Sequence, residues 1–186
     1  TQYYKADGTS ANIWNKTVAT TLYAKWNATT YTITLDNQSA TTAGTTVLYE
    51  KYADGVYLDS SYTKTMTTSD NAITVPTKTG YTFGGYYTST NGDGTQLISA
   101  SGYITSSFTS ALYSDNVTLY AKWAASTNTS YQIQHYQMQL DGTYPLTETE
   151  NKTGTTNNTL TLSNLAKNYT GFTYIYGQVN GTDVTT

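Results

Sequence analysis

Apolar and polar residues alternate with period two through most of the chain. Tyr31, Ile33 and Leu35 alternate with Thr32, Thr34 and Asp36, the pattern of a strand with one face on a core. Leu22, Ala24 and Trp26 share one face, with Tyr23 and Lys25 on the other. Tyr81 and Phe83 follow Gly80 in the same phase, and Thr159-Leu160-Thr161-Leu162 alternates too. Turn chemistry separates these runs: Ala53-Asp54-Gly55, Asn91-Gly92-Asp93-Gly94, Asp141-Gly142 and Asn180-Gly181, since Gly, Asn and Asp accept the backbone conformations of tight turns. From Tyr131 to Leu140 the apolar residues move from odd to even positions, which predicts a bulge or a strand buried on both faces. One segment has helical spacing. Ile104, Phe108, Ala111 and Leu112 fall on one helical face, with Ser99 or Ser101 placed to cap it. The expected fold class is therefore mostly β, with one short helix per module at most.

The chain repeats itself. Thr21-Leu22-Tyr23-Ala24-Lys25-Trp26 recurs as Thr118-Leu119-Tyr120-Ala121-Lys122-Trp123. Upstream, Tyr3-Tyr4 matches Tyr86-Tyr87, and Asp7-Gly8-Thr9 matches Asp93-Gly94-Thr95. The second copy is longer between these points, as insertions in loops make it. Repetition at this scale reads as tandem modules. Residues 1–27 read as the C-terminal part of one module, 29–124 as a complete one, and 130–186 as a different one. The linkers are short and lack Pro or Gly/Ser runs, so the modules are expected to stand end to end as an elongated rod. The shared hexapeptide predicts equivalent buried sites for Trp26 and Trp123.

Composition narrows the function. The 186 residues hold 9 Lys and Arg together, 12 Asp and Glu, one His and no Cys, for a net charge of -3. With a pI near 4.9 there is no basic surface to follow a phosphate backbone, so no nucleic-acid partner is expected. No apolar run approaches the ~18 residues of a membrane span, and no basic segment precedes an apolar stretch as in a signal peptide. Thiolate metal sites and disulfides are excluded. Charged residues make up 11% of the chain, against about 25% in ordinary soluble domains. Polarity comes instead from hydroxyls and amides, with 42 Thr. Aromatics at 14% give such a chain the means to pack a sheet.

Candidate chemistry is sparse. His135 is the single His and reads as a structural residue on a strand. Glu148 and Glu150, two apart, read as a solvated strand edge rather than an acid/base pair. Asn91-Gly92-Asp93-Gly94 lacks the spaced acids of a Ca²⁺ loop and reads as a hairpin turn. No catalytic set, cofactor site or metal site is expected. Tyr is the remaining lead, at 20 residues, because its rigid amphipathic ring suits sugar and protein surfaces. Tyr86, Tyr87, Tyr103 and Tyr113 cluster near turns and are the candidate ligand-binding residues.

Two resemblances follow. Tyr31-Thr32-Ile33-Thr34-Leu35, the run Pro76-Thr77-Lys78-Thr79-Gly80-Tyr81-Thr82-Phe83-Gly84-Gly85-Tyr86-Tyr87, and Thr118 to Trp123 together resemble the internalin B-repeat family, also called the Listeria–Bacteroides repeat. Tyr86 stands where that family usually has Trp. From Tyr131 on, His135-Tyr136, Leu140-Asp141-Gly142-Thr143-Tyr144, Thr153-Gly154-Thr155 and Gly171-Phe172-Thr173-Tyr174 resemble mucin-binding-protein (MucBP-like) repeats, with the last strand of such a repeat expected to be missing. The resemblances imply β-grasp-like modules in a large bacterial surface protein, extracellular and cell-wall associated or secreted. They imply an adhesin stalk or spacer with neighbouring repeats of the same chain as partners, and adhesion to a host glycan or protein. The alternatives are a glycan- or protein-binding module proper, or an ancillary region of a secreted polysaccharide-degrading enzyme. Strand complementation by another chain is a further possible partnership.

Overall fold

The computed structural model describes residues 1–109, 113–160, 166–179 and 181–184. The chain is mostly β. Six strands form one mixed sheet: β1 (Thr30–Asp36), β2 (Val47–Lys51), β3 (Gly55–Tyr57), β4 (Tyr81–Tyr87), β5 (Gln96–Ile98) and β6 (Val117–Ala125). Their order across the sheet is β3-β2-β1-β6-β4-β5. The central pair β1 and β6 is parallel, with Leu35 beside Leu119, and every other pairing in the sheet is antiparallel.

The period-two pattern sets the core. Ile33 and Leu35 are buried while Thr30, Thr32 and Thr34 face solvent, so the sheet has one dry face and one wet one. Leu48, Val56, Phe83, Tyr86, Leu97, Ile98, Leu119 and Ala121 join the same cluster. Met66, Ile73 and Phe108, from segments outside the strands, complete it. The expected helix is not there. Ile104 makes an antiparallel bridge to Ile98, Phe108 lies buried in an irregular segment, and no α-helix occurs among the described residues. Ala111 and Leu112 lie outside the described residues. Ser and Thr, weak helix formers that dominate this stretch, leave a cross-strand contact as the better use of Ile104.

A bulge at Gly84-Gly85 shapes the site end of the sheet. Phe83 pairs with Trp123 and Tyr86 with Ala121, so β4 carries one residue more than β6 over this interval. Gly85 has φ of 105°, and a Cβ there would sit 2.3 Å from the Ile98 carbonyl oxygen. Only glycine fits. The extra residue turns Phe83 and Tyr86 onto the same face, with ring centroids 5.3 Å apart.

Beyond the sheet, β7 (Thr129–Tyr136) and β8 (Leu146–Gly154) form a hairpin, and β9 (Gly177–Val179) pairs with β10 (Thr182–Val184). The register shifts between His135 and Tyr136, where the sequence changes phase. The strand stops there, however, and Met138 and Leu140 are exposed. No described residue beyond Ala121 is buried. Of the Thr159–Leu162 alternation, Thr159 and Leu160 lie outside any strand, while Thr161 and Leu162 fall outside the described residues. Contacts join the hairpin to the sheet: Ser126 N donates to Gly80 O, Thr156 N donates to Ser126 O, both at 2.9 Å, and Asn157 Nδ2 donates to the Tyr81 hydroxyl. No helix among the described residues is long and apolar enough to cross a membrane.

The N-terminal copy departs most from expectation. Residues 21–26 pair with nothing among the described residues, and Trp26 is 88% exposed. Trp123 instead packs against the core and Phe83, ring centroids 5.5 Å apart. The same six residues give a buried strand only where β1 and β4 flank them.

Candidate functional site

At the end of the central strand pair a cleft of about 540 Å³ opens, lined by Asp36, Gln38, Ser39, Lys78, Tyr81, Asn91, Ala121 and Trp123. Its rim is a tight turn after β1. Asp36 Oδ1 accepts from the Gln38 amide at 2.9 Å, and Gln38 and Ser39 both adopt positive φ. Three side chains clamp this turn. Trp123 Nε1 donates to Asn37 O at 3.1 Å, Lys78 Nζ donates to Gln38 O at 3.3 Å, and the Tyr86 hydroxyl donates to Asn37 Oδ1. Non-glycine residues in the left-handed region cost energy and persist where surroundings hold them. Asn91, across the cleft, is a third such residue.

Lys78 supplies the cleft's cation. Its ammonium lies 5.0 Å from the Tyr81 ring centroid and 5.9 Å from that of Trp123, within range of a cation–π attraction. The cleft thus presents one ammonium, one carboxylate, two amides, two hydroxyls and two aromatic rings. Such a set offers hydrogen bonding and stacking.

The four candidate tyrosines do not form one surface. Tyr86, expected among the ligand-binding residues, is instead fully buried in the core. The Gly84-Gly85 bulge is the reason, since unbroken period two would have put Tyr87 on the Phe83 face. Burial and the nearby Asp36 charge hold the Tyr86 hydroxyl well above the ordinary phenol range, so it stays a donor. Tyr87 is half-buried on the opposite face, with Lys122 Nζ 5.3 Å from its ring centroid. Tyr103 closes a turn in which its carbonyl accepts from the Ser99 amide at 2.8 Å. Tyr113 packs on Phe108, centroids 6.4 Å apart, and against the core. No ring contact joins any two of the four among the described residues. The residues that do converge come from three places in the sequence: Asp36 at the end of β1, Lys78 and Tyr81 at the entry to β4, and Trp123 in β6. Only the pairing of β1, β4 and β6 shows their proximity.

A second polar cluster lies on the β7–β8 hairpin. His135 Nε2 meets Glu150 Oε1 at 2.8 Å, and Lys152 Nζ meets Glu150 Oε2 at 2.9 Å. Glu148 accepts from Lys167 Nζ at 2.5 Å and from the Tyr169 hydroxyl at 2.7 Å. Lys152 and then His135 hold the Glu150 carboxyl below its usual value, and Lys167 and Tyr169 do the same for Glu148. Both glutamates thus have partners, where the sequence suggested a merely solvated edge. No group of three or more His, Cys, Asp or Glu placed to hold a metal ion occurs among the described residues.

Comparison with known proteins returns no match: no protein-family model, no curated protein and no solved structure corresponds to this chain.

Proposed function

We propose that this chain is a tandem extracellular repeat segment of a large bacterial surface protein and serves as an adhesin stalk or spacer. The observation that carries the reading is a self-contained core beside a copy of its own central strand. Every member of the hydrophobic cluster lies between Ile33 and Ala121, while the β6 hexapeptide recurs at Thr21–Trp26. A unit that closes its own core can be strung in series. The central parallel pair, with hairpins outside it, supports a β-grasp-like module related to the internalin B-repeat, and the β7–β8 hairpin opens a MucBP-like region. The segment works without cofactor or catalysis, outside the cell. Small-angle scattering tests the arrangement. A compact 186-residue body has a radius of gyration of about 16 Å. A clearly larger value is expected, and one near that figure would overturn the stalk.

The cleft favours a second reading, adhesion to a glycan. Tyr81, Trp123, Asp36, Gln38 and Asn91 combine ring faces with amide and carboxylate groups, the pairing that neutral sugars use. Titration with neutral oligosaccharides should change the tryptophan emission, and Asp36→Asn should weaken the response roughly tenfold, about the loss of one charge-assisted hydrogen bond. A response unchanged in the variant would place the sugar elsewhere.

A further inference from the structure

We infer that Gln38, Ser39 and Asn91 are the specificity-determining residues of the cleft, held in strained backbone so that their side chains read the hydroxyl groups of a bound glycan. The inference rests on the glycan reading of the cleft and deepens it.

Backbone strain is unevenly spread over the molecule. Among the described residues seven non-glycine residues have positive φ: Gln38, Ser39, Ala53, Tyr62, Asn71, Asn91 and Asn157. Three of these seven line this one cleft, with φ of 49°, 58° and 60° for Gln38, Ser39 and Asn91. In this region the Cβ crowds the following carbonyl oxygen, so glycine is the usual occupant.

Outside the cleft, each polar or aromatic side chain in this conformation has an internal use. Asn71 Nδ2 donates to Thr65 O at 2.7 Å, and Asn157 Nδ2 donates to the Tyr81 hydroxyl. Tyr62 lies against Tyr57 and Tyr49, with ring centroids 5.4 Å and 6.4 Å away. Inside the cleft the pattern reverses. Among the described residues no hydrogen bond involves the side chain of Gln38, Ser39 or Asn91; Gln38 bonds through its backbone alone. The clamps act on that backbone. Trp123 and Lys78 hold the carbonyls of Asn37 and Gln38, and Asp36 holds the Gln38 amide. The fold therefore fixes the main chain of the turn and leaves the Gln38 and Ser39 side chains lining the cleft. Strain that no internal contact uses points to a site held ready for a ligand.

The chemistry of the three side chains names what they read. A carboxamide and an aliphatic hydroxyl each both donate and accept hydrogen bonds. A group that satisfies all three must also donate and accept, which is the property of a sugar hydroxyl. A bare anion would leave the acceptor oxygens of Gln38 and Asn91 without partners. Gln38 and Ser39 stand on the turn after β1, and Asn91 on the turn between β4 and β5. They meet the ligand from two sides, while Tyr81 and Trp123 supply the ring faces.

The test compares the full chain with two variants, Gln38→Gly and Ser39→Gly combined, and Asn91→Gly alone. Each is followed by thermal unfolding and by titration with neutral oligosaccharides read through tryptophan emission. Glycine relieves the left-handed backbone and removes the reading group together. The double variant should melt about 2–4 °C higher, yet bind the oligosaccharide roughly tenfold more weakly. Asn91→Gly should weaken binding to a similar extent with no fall in melting temperature. Asn71→Gly is the control, since its amide bonds internally, and it should bind as the unaltered chain does. A turn kept only for the fold would lose stability when relieved, so opposite signs in the two readouts are decisive. A double variant that binds as tightly as the unaltered chain overturns the inference and leaves the glycan reading standing. A double variant that melts lower overturns it too, as does a loss of binding in Asn71→Gly equal to that of the double variant. An unaltered chain that responds to no neutral oligosaccharide removes the glycan reading, and this inference with it.

Discussion

Glu50 lies in β2 fully buried, and among the described residues neither carboxylate oxygen has a hydrogen-bond partner of good geometry. Burial holds its carboxyl above the usual 4.5, offset in part by the backbone of Tyr113. The charge acts in turn on Tyr113, whose hydroxyl is raised by burial first and by Glu50 second. For an acid with a raised folded value, the folded state holds the proton more tightly. Its contribution to stability is complete below 4.5 and is lost as pH rises from there through the folded value. Glu50→Met should therefore stabilise the sheet at neutral pH by about 1–3 kcal/mol, since an unpaired buried polar group costs that much. The gain should shrink as pH falls toward 4.5. Denaturant midpoints of both proteins across this range measure it. A gain that stays constant with pH would remove Glu50 from the account.

At the scale of elements, strand neighbours decide whether a favourable sequence becomes a strand. The hairpin β7–β8 shows a different support. It has no buried residue, and an isolated hairpin is marginal in water. The cross-strand His135–Glu150 contact, the Lys152–Glu150 and Lys167–Glu148 ion pairs and the Tyr169 ring, 5.5 Å from that of His135, take the place of a core. Glu148 and Glu150 are both held below their usual 4.5. A depressed carboxylate stabilises above the unfolded value, and the contribution is lost as pH falls through the folded value. Acidification below 4.5 should release this hairpin first. Amides of Thr129–Tyr136 and Leu146–Gly154 should lose protection as pH falls below 4.5 while those of β1 and β6 keep theirs. Equal loss in both regions would refute the idea.

Over the whole molecule, packing is concentrated between residues 33 and 121. Both flanks present aromatics to solvent: Tyr23 and Trp26 on one side, Tyr136, Tyr144 and Phe172 on the other. Proteases cut where the backbone opens readily. Brief chymotrypsin treatment should cleave after Tyr23 or Trp26 and after Tyr144 or Phe172, leaving a fragment that spans β1 to β6. First cuts after Phe83 or Tyr86, both in the core, would contradict this distribution of stability.

The alternation of Ile33 and Leu35 with threonines determined β1 and its dry face, because a pleated strand puts every second side chain on one side. The turn at residues 91–94 was equally legible, since Asn and Gly at positive φ are local properties. The phase change near His135 announced the register shift at its true place. Three things belonged to the tertiary structure. The Gly84-Gly85 bulge reversed the facing of Tyr86, because a two-for-one register depends on the partner strand. The cleft joined Asp36, Lys78, Tyr81 and Trp123, whose proximity follows from a parallel pairing between β1 and β6 that no local pattern encodes. The hexapeptide itself is the clearest case. Thr21–Trp26 and Thr118–Trp123 share every residue, yet one is a core strand and the other is exposed, because the burial that holds a strand comes from its neighbours.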